Sequence, residues 1–147
     1  MCERLLRGAP PGFVLERCQQ PDEVPDLARL WKRRGRRLLR VDLVGHGAGG
    51  TLHLGDGPLF AADGTGFGVA KRLRGALAPD AELRLLGCRT AERHRSSARD
   101  GVAMLRALEQ ILGVRRRVVG TTAELRLEHF TGGGLTAPGS RLLRRPR

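Results

Sequence analysis

Two short runs constrain the fold of this chain more than anything else in it. RRLLRVDLV at 36–44 carries apolar residues on both alternations, and ELRLLG at 82–87 also reads as a buried strand. A strand half-exposed to water alternates apolar and polar residues. Strands apolar on both sides belong to a covered sheet, usually a parallel one joined by helical crossovers. Helical patterns fall where such crossovers are needed. PDEVPDLARLWKRRG at 21–35 sets Val24, Leu27, Ala28 and Trp31 on one face, with Gly35 to end the helix. TGFGVAKRLRGALA at 65–78 aligns Phe67, Ala70, Leu73 and Leu77, with Thr65 as its N-cap. SSARDGVAMLRALEQILG at 96–113 aligns Ala98, Val102, Leu105, Leu108 and Leu112, with Ser97 and Asp100 at capping-box spacing.

Three more strands are expected in GFVLERC (12–18), VRRRVVG (114–120) and ELRLEHF (124–130). TLHLGDGPLF (51–60) reads as a hairpin turning at Gly55, Asp56 and Gly57. Strands alternating with helices predict an α/β domain, a three-layer α/β/α sandwich around a mostly parallel sheet. At 147 residues the chain is long enough to bury a core as one domain. That domain is expected over 1–131, followed by a glycine-rich loop and a mobile basic tail over 132–147.

The formal net charge of +12 suggests a polyanionic partner. Yet 25 of the 27 basic residues are arginines, in a chain also rich in Gly, Ala and Leu. GC-rich coding produces the same skew, so the charge is a weak guide. With no tyrosine, one tryptophan and four phenylalanines there is little to stack bases on, which counts against single-stranded nucleic acid, and a nucleic-acid partner is not the leading expectation. The arginine runs at 33–37, 115–117 and 144–147 read as solvated faces and tails. Cys2, Cys18 and Cys88 are an odd number without framework spacing, as reduced cytoplasmic thiols would be. No signal peptide and no membrane span are expected.

The stretch VDLVGHGAGG at 41–50 contains Gly45, Gly47 and Gly50 in the dinucleotide spacing G-x-G-x-x-G. That spacing binds a pyrophosphate only where a helix follows, and here the period-two stretch TLHLGDG follows. A phosphate loop would also need Gly-Lys-Ser/Thr. More informative is what stands at the two strand ends. In an open parallel sheet, sites gather beyond the carboxyl ends of the strands. His46 stands just past one buried strand and Cys88 just past another, separated by a hairpin and a helix, the length of one crossover. Both therefore fall on one sheet edge. A cysteine beside a histidine is the minimum for thiol nucleophilic catalysis. Alone, Cys88 would read as an inert buried thiol.

Of the other histidines, His53 in the hairpin and His94 in a polar loop read as surface groups; His129, late in the last strand and near the expected cleft, reads as a surface group, with contact to substrate as the alternative. Cys18 reads as a buried strand residue and Cys2 as a terminal thiol. His46, His53 and Cys88 match no structural zinc spacing, so no metal is expected. Asp42, on a buried strand, requires a partner such as Arg40 or Arg84, as an ion pair or as an acid in a substrate pocket.

An apolar strand ending in His46-Gly47, then another ending in Gly87-Cys88, resembles the caspase–gingipain–legumain clan of cysteine peptidases. The layout is most similar to two bacterial branches, the self-cutting peptidase domain of large secreted toxins and the gingipain-like domain of giant adhesins. The resemblance runs from about 38 to 130. In it VVGTTAELRLEHFTGGG resembles the strand and flap lining the toxin branch's substrate cleft.

The resemblance implies a caspase-like fold, with His46 as acid–base, Cys88 as nucleophile, and the backbone N–H groups of Gly47 and Cys88 holding the oxyanion. It further implies a protein or peptide substrate, self-cleavage included, and no required cofactor. A polyanion such as inositol hexakisphosphate would act as activator on arginines 115–117, the flap after Phe130 and the tail from Arg141. The competing expectations are a non-catalytic binding module of the same fold and a basic nucleic-acid-binding protein.

Overall fold

The structure, a computed structural model, describes residues 11–132 and 134–146. Cys2 and the last residue of the basic tail lie outside them. The chain forms α1 (Glu23–Arg33), β1 (Leu38–Val44), β2 (His46–Ala48), β3 (Thr51–Leu54), β4 (Gly57–Ala61), α2 (Phe67–Arg74) and β5 (Leu77–Leu86). Then follow α3 (Gly101–Leu112), β6 (Arg117–Thr121), β7 (Phe130–Thr131), β8 (Gly134–Leu135), the one-turn α4 (Ala137–Ser140) and β9 (Leu143–Arg144). The main sheet has the order β1-β5-β6-β9. β1 and β6 both run parallel to β5, and β9 pairs antiparallel with β6. Strands β2, β3 and β4 make a separate antiparallel meander, and β7 pairs with β8. The domain is α/β with a mostly parallel central sheet, as the strand–helix alternation predicts.

The layering differs from the expected sandwich. Leu43, Leu83, Leu85 and Val118 point to one sheet face and share a core with Val24 and Ala28 of α1, Ala70 and Leu73 of α2, and Leu105 and Leu108 of α3. The three longer helices therefore lie on the same side. Leu83, Leu85, Leu105 and Leu108 are at most 1% exposed. Each such leucine contributes roughly 1.5–3 kcal/mol through burial.

On the opposite face the period of two brings up Arg40, Asp42 and Val44 from β1, and Glu82, Arg84 and Leu86 from β5. Near the strand ends this face carries a small apolar cluster, where Leu86 and Phe130 pack with Leu15, Val44, Leu125, Leu135 and Leu143. Further back it carries charge. Asp42 lies 3.3 Å from Arg40 Nε and 3.7 Å from Arg84 Nε. Arg84 holds Glu82 at 2.7 Å, and Glu82 also meets Arg117 at 3.8 Å and Arg145 at 3.9 Å. Apolar residues on both alternations thus mark a covered face whose apolar packing is confined to the strand ends, while Asp42 and Arg84, 10% and 19% exposed, cover its middle with charge.

Several local expectations also shift. Residues 13–18 are not a strand. Leu15 packs on the second face and Cys18 on the helical core, so this segment passes from one cluster to the other. ELRLEHF is not a strand either: it ends in a 3-10 turn at Leu127–His129 and only Phe130 enters β7. α2 stops at Arg74, and Leu77 begins β5. Its N-cap is Gly66, not Thr65, with φ 81°, and a Cβ there would overlap Leu59 O. α3 is capped by Asp100, whose carboxylate accepts from Val102 N (2.9 Å) and Ala103 N (3.3 Å). Ser97 starts a 3-10 turn and Ala98 is exposed. The tail is no loose end, since it supplies β9.

Arg116 departs furthest from its expected place in a solvated run. Its guanidinium donates to Ala78 O (2.9 Å), Leu77 O (3.1 Å) and Leu112 O (2.7 Å), tying the end of α3 to the start of β5. Burial, then the nearby Arg74 and Arg37, hold its pKa below the usual arginine value. Arg116→Ala is expected to lower unfolding stability by about 2–3 kcal/mol, because three carbonyls lose a charged donor at once. Arg115→Ala, on an exposed neighbour, is expected to change it by less than about 0.5 kcal/mol. Paired denaturant titrations check the difference, and equal effects would refute the clamp.

Candidate active site at the strand ends

β1 and β5 end side by side: Val44 pairs with Leu86, and Gly45 N donates to Leu86 O at 3.3 Å. One residue later the chain leaves the sheet, and His46 opens β2. Cys88 stands two residues beyond the end of β5. His46 and Cys88 therefore follow neighbouring parallel strands on the same edge.

The backbones touch there. A Cβ placed on Gly47 would overlap the N and O of Cys88 and lie 2.6 Å from the carbonyl carbon of Gly87. A Cβ on Gly87 would lie 3.0 Å from Gly47 N and Cα, and 2.7 Å from Leu52 Cδ1. Only glycine permits this approach. His46 is exposed and Cys88 half-buried. Among the described residues neither side chain hydrogen-bonds to another group, so both remain available to a third molecule.

The segment after Cys88 is held from three sides. Arg89 has φ 55°, the only positive φ outside glycine among the described residues. The left-handed region costs a non-glycine residue roughly 1–2 kcal/mol. Arg89 N donates to Ala123 O at 3.1 Å and Ala91 N to Thr121 O at 2.8 Å, which sustain that conformation. Thr90 Oγ1 donates to Leu85 O at 2.9 Å, and Thr121 Oγ1 donates to Gly87 O. From the helical side, Gly101 N donates to Glu92 O at 2.8 Å, and a Cβ on Gly101 would overlap Thr90 O.

Beside this segment opens a cleft of about 650 Å³, lined among others by Arg89, Glu92, Glu124, Arg126, Glu128 and His129. Arg89 pairs with Glu124 across it at 3.4 Å. His129, expected from sequence near the cleft, lies on its wall with Nδ1 accepting from Arg126 N at 3.0 Å. His53 stands directly opposite His46 in the β2–β3 ladder, a neighbour that only the strand register reveals. His94 accepts from Ser96 N in its loop, away from these residues. Cys18 packs against the helical core. Burial first, then Glu23 and Glu16, raise its thiol pKa and disfavour a thiolate.

Asp42 belongs to the charged face, behind Val44 and Leu86, and not to the cleft. Its two carboxylate oxygens are buried without a hydrogen bond among the described residues. Burial raises its pKa, against the smaller opposing pull of Arg40 and Arg84 and with a small push from Glu82. Of the arginines expected to meet a polyanion, Arg116 is turned onto backbone carbonyls, while Arg117 and Arg145 meet at Glu82. No group of three or more His, Cys, Asp or Glu is placed to hold a metal ion among the described residues. Nor is any helix among them long and apolar enough to cross a membrane.

No protein-family model, curated protein or solved structure matches this chain.

Proposed function

We propose that this chain is a caspase-like cysteine peptidase domain that hydrolyses peptide bonds through Cys88 and His46. The observation that carries this reading is the contact of Gly47 with the Gly87–Cys88 peptide, at the adjacent carboxyl ends of two parallel strands. It brings the backbone that follows β1 against the peptide that carries Cys88, one residue after His46.

In the reaction, Cys88 Sγ bonds to the substrate carbonyl carbon while the thiol proton passes to His46. The C=O electron pair moves onto oxygen and is held by the N–H groups of Gly47 and Cys88. Collapse breaks the C–N bond, His46 gives its proton to the departing amine, and water then hydrolyses the thioester. The meander supports this use of Gly47. Ala48 and Thr51 close the β2–β3 hairpin, so ladder alternation turns the Gly47 N–H away from β3. Gly87 and Cys88 lie against the face of Gly47, beside that amide. The open cleft that Arg89 lines begins one residue past Cys88, and we assign the peptide to it.

The test is a set of peptidyl acyloxymethyl ketones differing at the residue before the ketone, followed by mass spectrometry on the intact chain. The expected result is one adduct, on Cys88, forming at least about 100-fold faster than on a free thiol, as a positioned acid–base implies. Equal labelling of Cys18 and Cys88, or labelling no faster than a free thiol, would overturn the proposal. Saturable peptide binding without an adduct would assign a binding module instead.

A further inference from the structure

The only fully buried polar side chains among the described residues are Thr90 and Thr121, both 0% exposed. Both hydroxyls serve the turn that carries Cys88. Thr90 Oγ1 donates to Leu85 O and accepts from Thr121 N at 2.9 Å. Thr121 Oγ1 donates to Gly87 O. The peptide joining Gly87 to Cys88 is planar and trans, so its C=O and N–H point in opposite directions.

In the sheet order β1-β5-β6, Thr121 lies on the β6 side of β5, while Gly47 follows β1 on the other side. Drawing the Gly87 carbonyl toward Thr121 therefore swings the Cys88 N–H toward Gly47. That N–H makes no hydrogen bond among the described residues, whereas Arg89 N and Ala91 N, one and three residues on, are taken by backbone carbonyls.

We infer that Thr121, braced by Thr90, is a positioning residue: its hydroxyl fixes the Gly87–Cys88 peptide so that the Cys88 N–H and the Gly47 backbone face one oxyanion. The inference rests on the reading of Cys88 as nucleophile. It adds that the aim of the oxyanion site is set from β6, by a side chain that touches no substrate.

Two electrophiles separate this role from general support of the fold. Iodoacetamide alkylates sulfur by displacing iodide, and no oxyanion forms. A peptide aldehyde takes the Cys88 sulfur onto its carbonyl carbon, and the oxygen that gains the electron pair takes up the thiol proton to give a hemithioacetal. Thr121→Val keeps the shape of the side chain and removes the donor. Thr121→Ala makes the same comparison where β6 rejects a valine, and melting curves establish that each variant is folded.

The expected result is iodoacetamide reactivity at Cys88 within about twofold of the parent. Aldehyde affinity and kcat should both fall about 10- to 100-fold with KM little changed, a fraction of what deleting an oxyanion donor costs. Thr121→Ser should restore both. Unchanged aldehyde affinity, or a loss shared equally by the two electrophiles, would overturn the positioning role while leaving the dyad standing. If the parent chain neither cleaves peptides nor binds the aldehyde, the reading of Cys88 falls and this inference falls with it.

Discussion

Cys88→Ala is expected to abolish peptide hydrolysis, and His46→Ala to lower kcat/KM by about 10²–10⁴-fold, the range for losing a positioned general acid–base. Neither change should move the melting temperature by more than about 2 °C, since substitutions away from packed features stay within about 0.5 kcal/mol. The structure gives the reason. His46 is exposed, Cys88 is half-buried, and neither side chain hydrogen-bonds to the protein among the described residues. The double variant should be no slower than Cys88→Ala, because groups acting on one step are not additive. Steady-state cleavage of the peptide labelled fastest, with melting curves alongside, checks this. Activity persisting in Cys88→Ala would remove the nucleophile from the scheme.

Gly47→Ala is expected to affect the fold and the site together. The new methyl would overlap Cys88 N and O and stand 2.6 Å from the Gly87 carbonyl carbon. All three are backbone atoms in a turn pinned by Thr90, Thr121 and Ala123, so none yields as the end of a flexible side chain would. Overpacking of this kind costs about 3 kcal/mol, or more where nothing can relax, equivalent to roughly 10 °C in melting temperature for a domain of this size. Relief requires His46 and Cys88 to move apart, so whatever folds should also lose peptide cleavage.

Gly68→Ala is the matched control. It lies inside α2 with nothing within 4 Å of the added carbon, and should stabilise by about 0.5–1 kcal/mol. Differential scanning calorimetry on the pair checks both signs. A Gly47→Ala chain as stable as its parent would show that the two strand ends do not meet.

How much of this was legible depended on how strongly each stretch was patterned. β1, β5, α3 and the 51–60 hairpin follow from long apolar repeats and glycine turns, and with β1 and β5 came the shared edge of His46 and Cys88. Alternation alone misled at 124–130. There Leu125 packs on the second face while Leu127 is 51% exposed, and the pattern continues into a 3-10 turn. It misled again at 12–18, where the apolar residues serve two different clusters and cannot share one strand face. β9 is only two residues long, too short for any period to show.

At the site, the contact of Gly47 with Gly87–Cys88 and the pairing of His46 with His53 depend on register, which no local pattern encodes. Thr90 and Thr121 were missed for a different reason. A threonine hydroxyl that grips a carbonyl in the core is spelled the same way as one in water. The arginine runs show the converse, since Arg115 and Arg116 are adjacent and chemically identical, yet one is exposed and the other clamps three carbonyls.

The antiparallel strand β9 has a consequence for how the chain is made. It pairs with β6 through Gly120–Arg144 and Thr121–Leu143, and Leu142 O receives both the N–H and the hydroxyl of Thr122. Every element that covers the helical face of the sheet precedes it in the chain. A nascent polypeptide can therefore assemble β1, β5 and β6 under α1–α3 while β6 still presents an unpaired edge ending at Thr121, beside the Cys88 turn. Such an edge invites pairing with a neighbouring chain. Until β9 docks, the sheet is open at both margins; afterwards β1 is the longer of the two edges that remain.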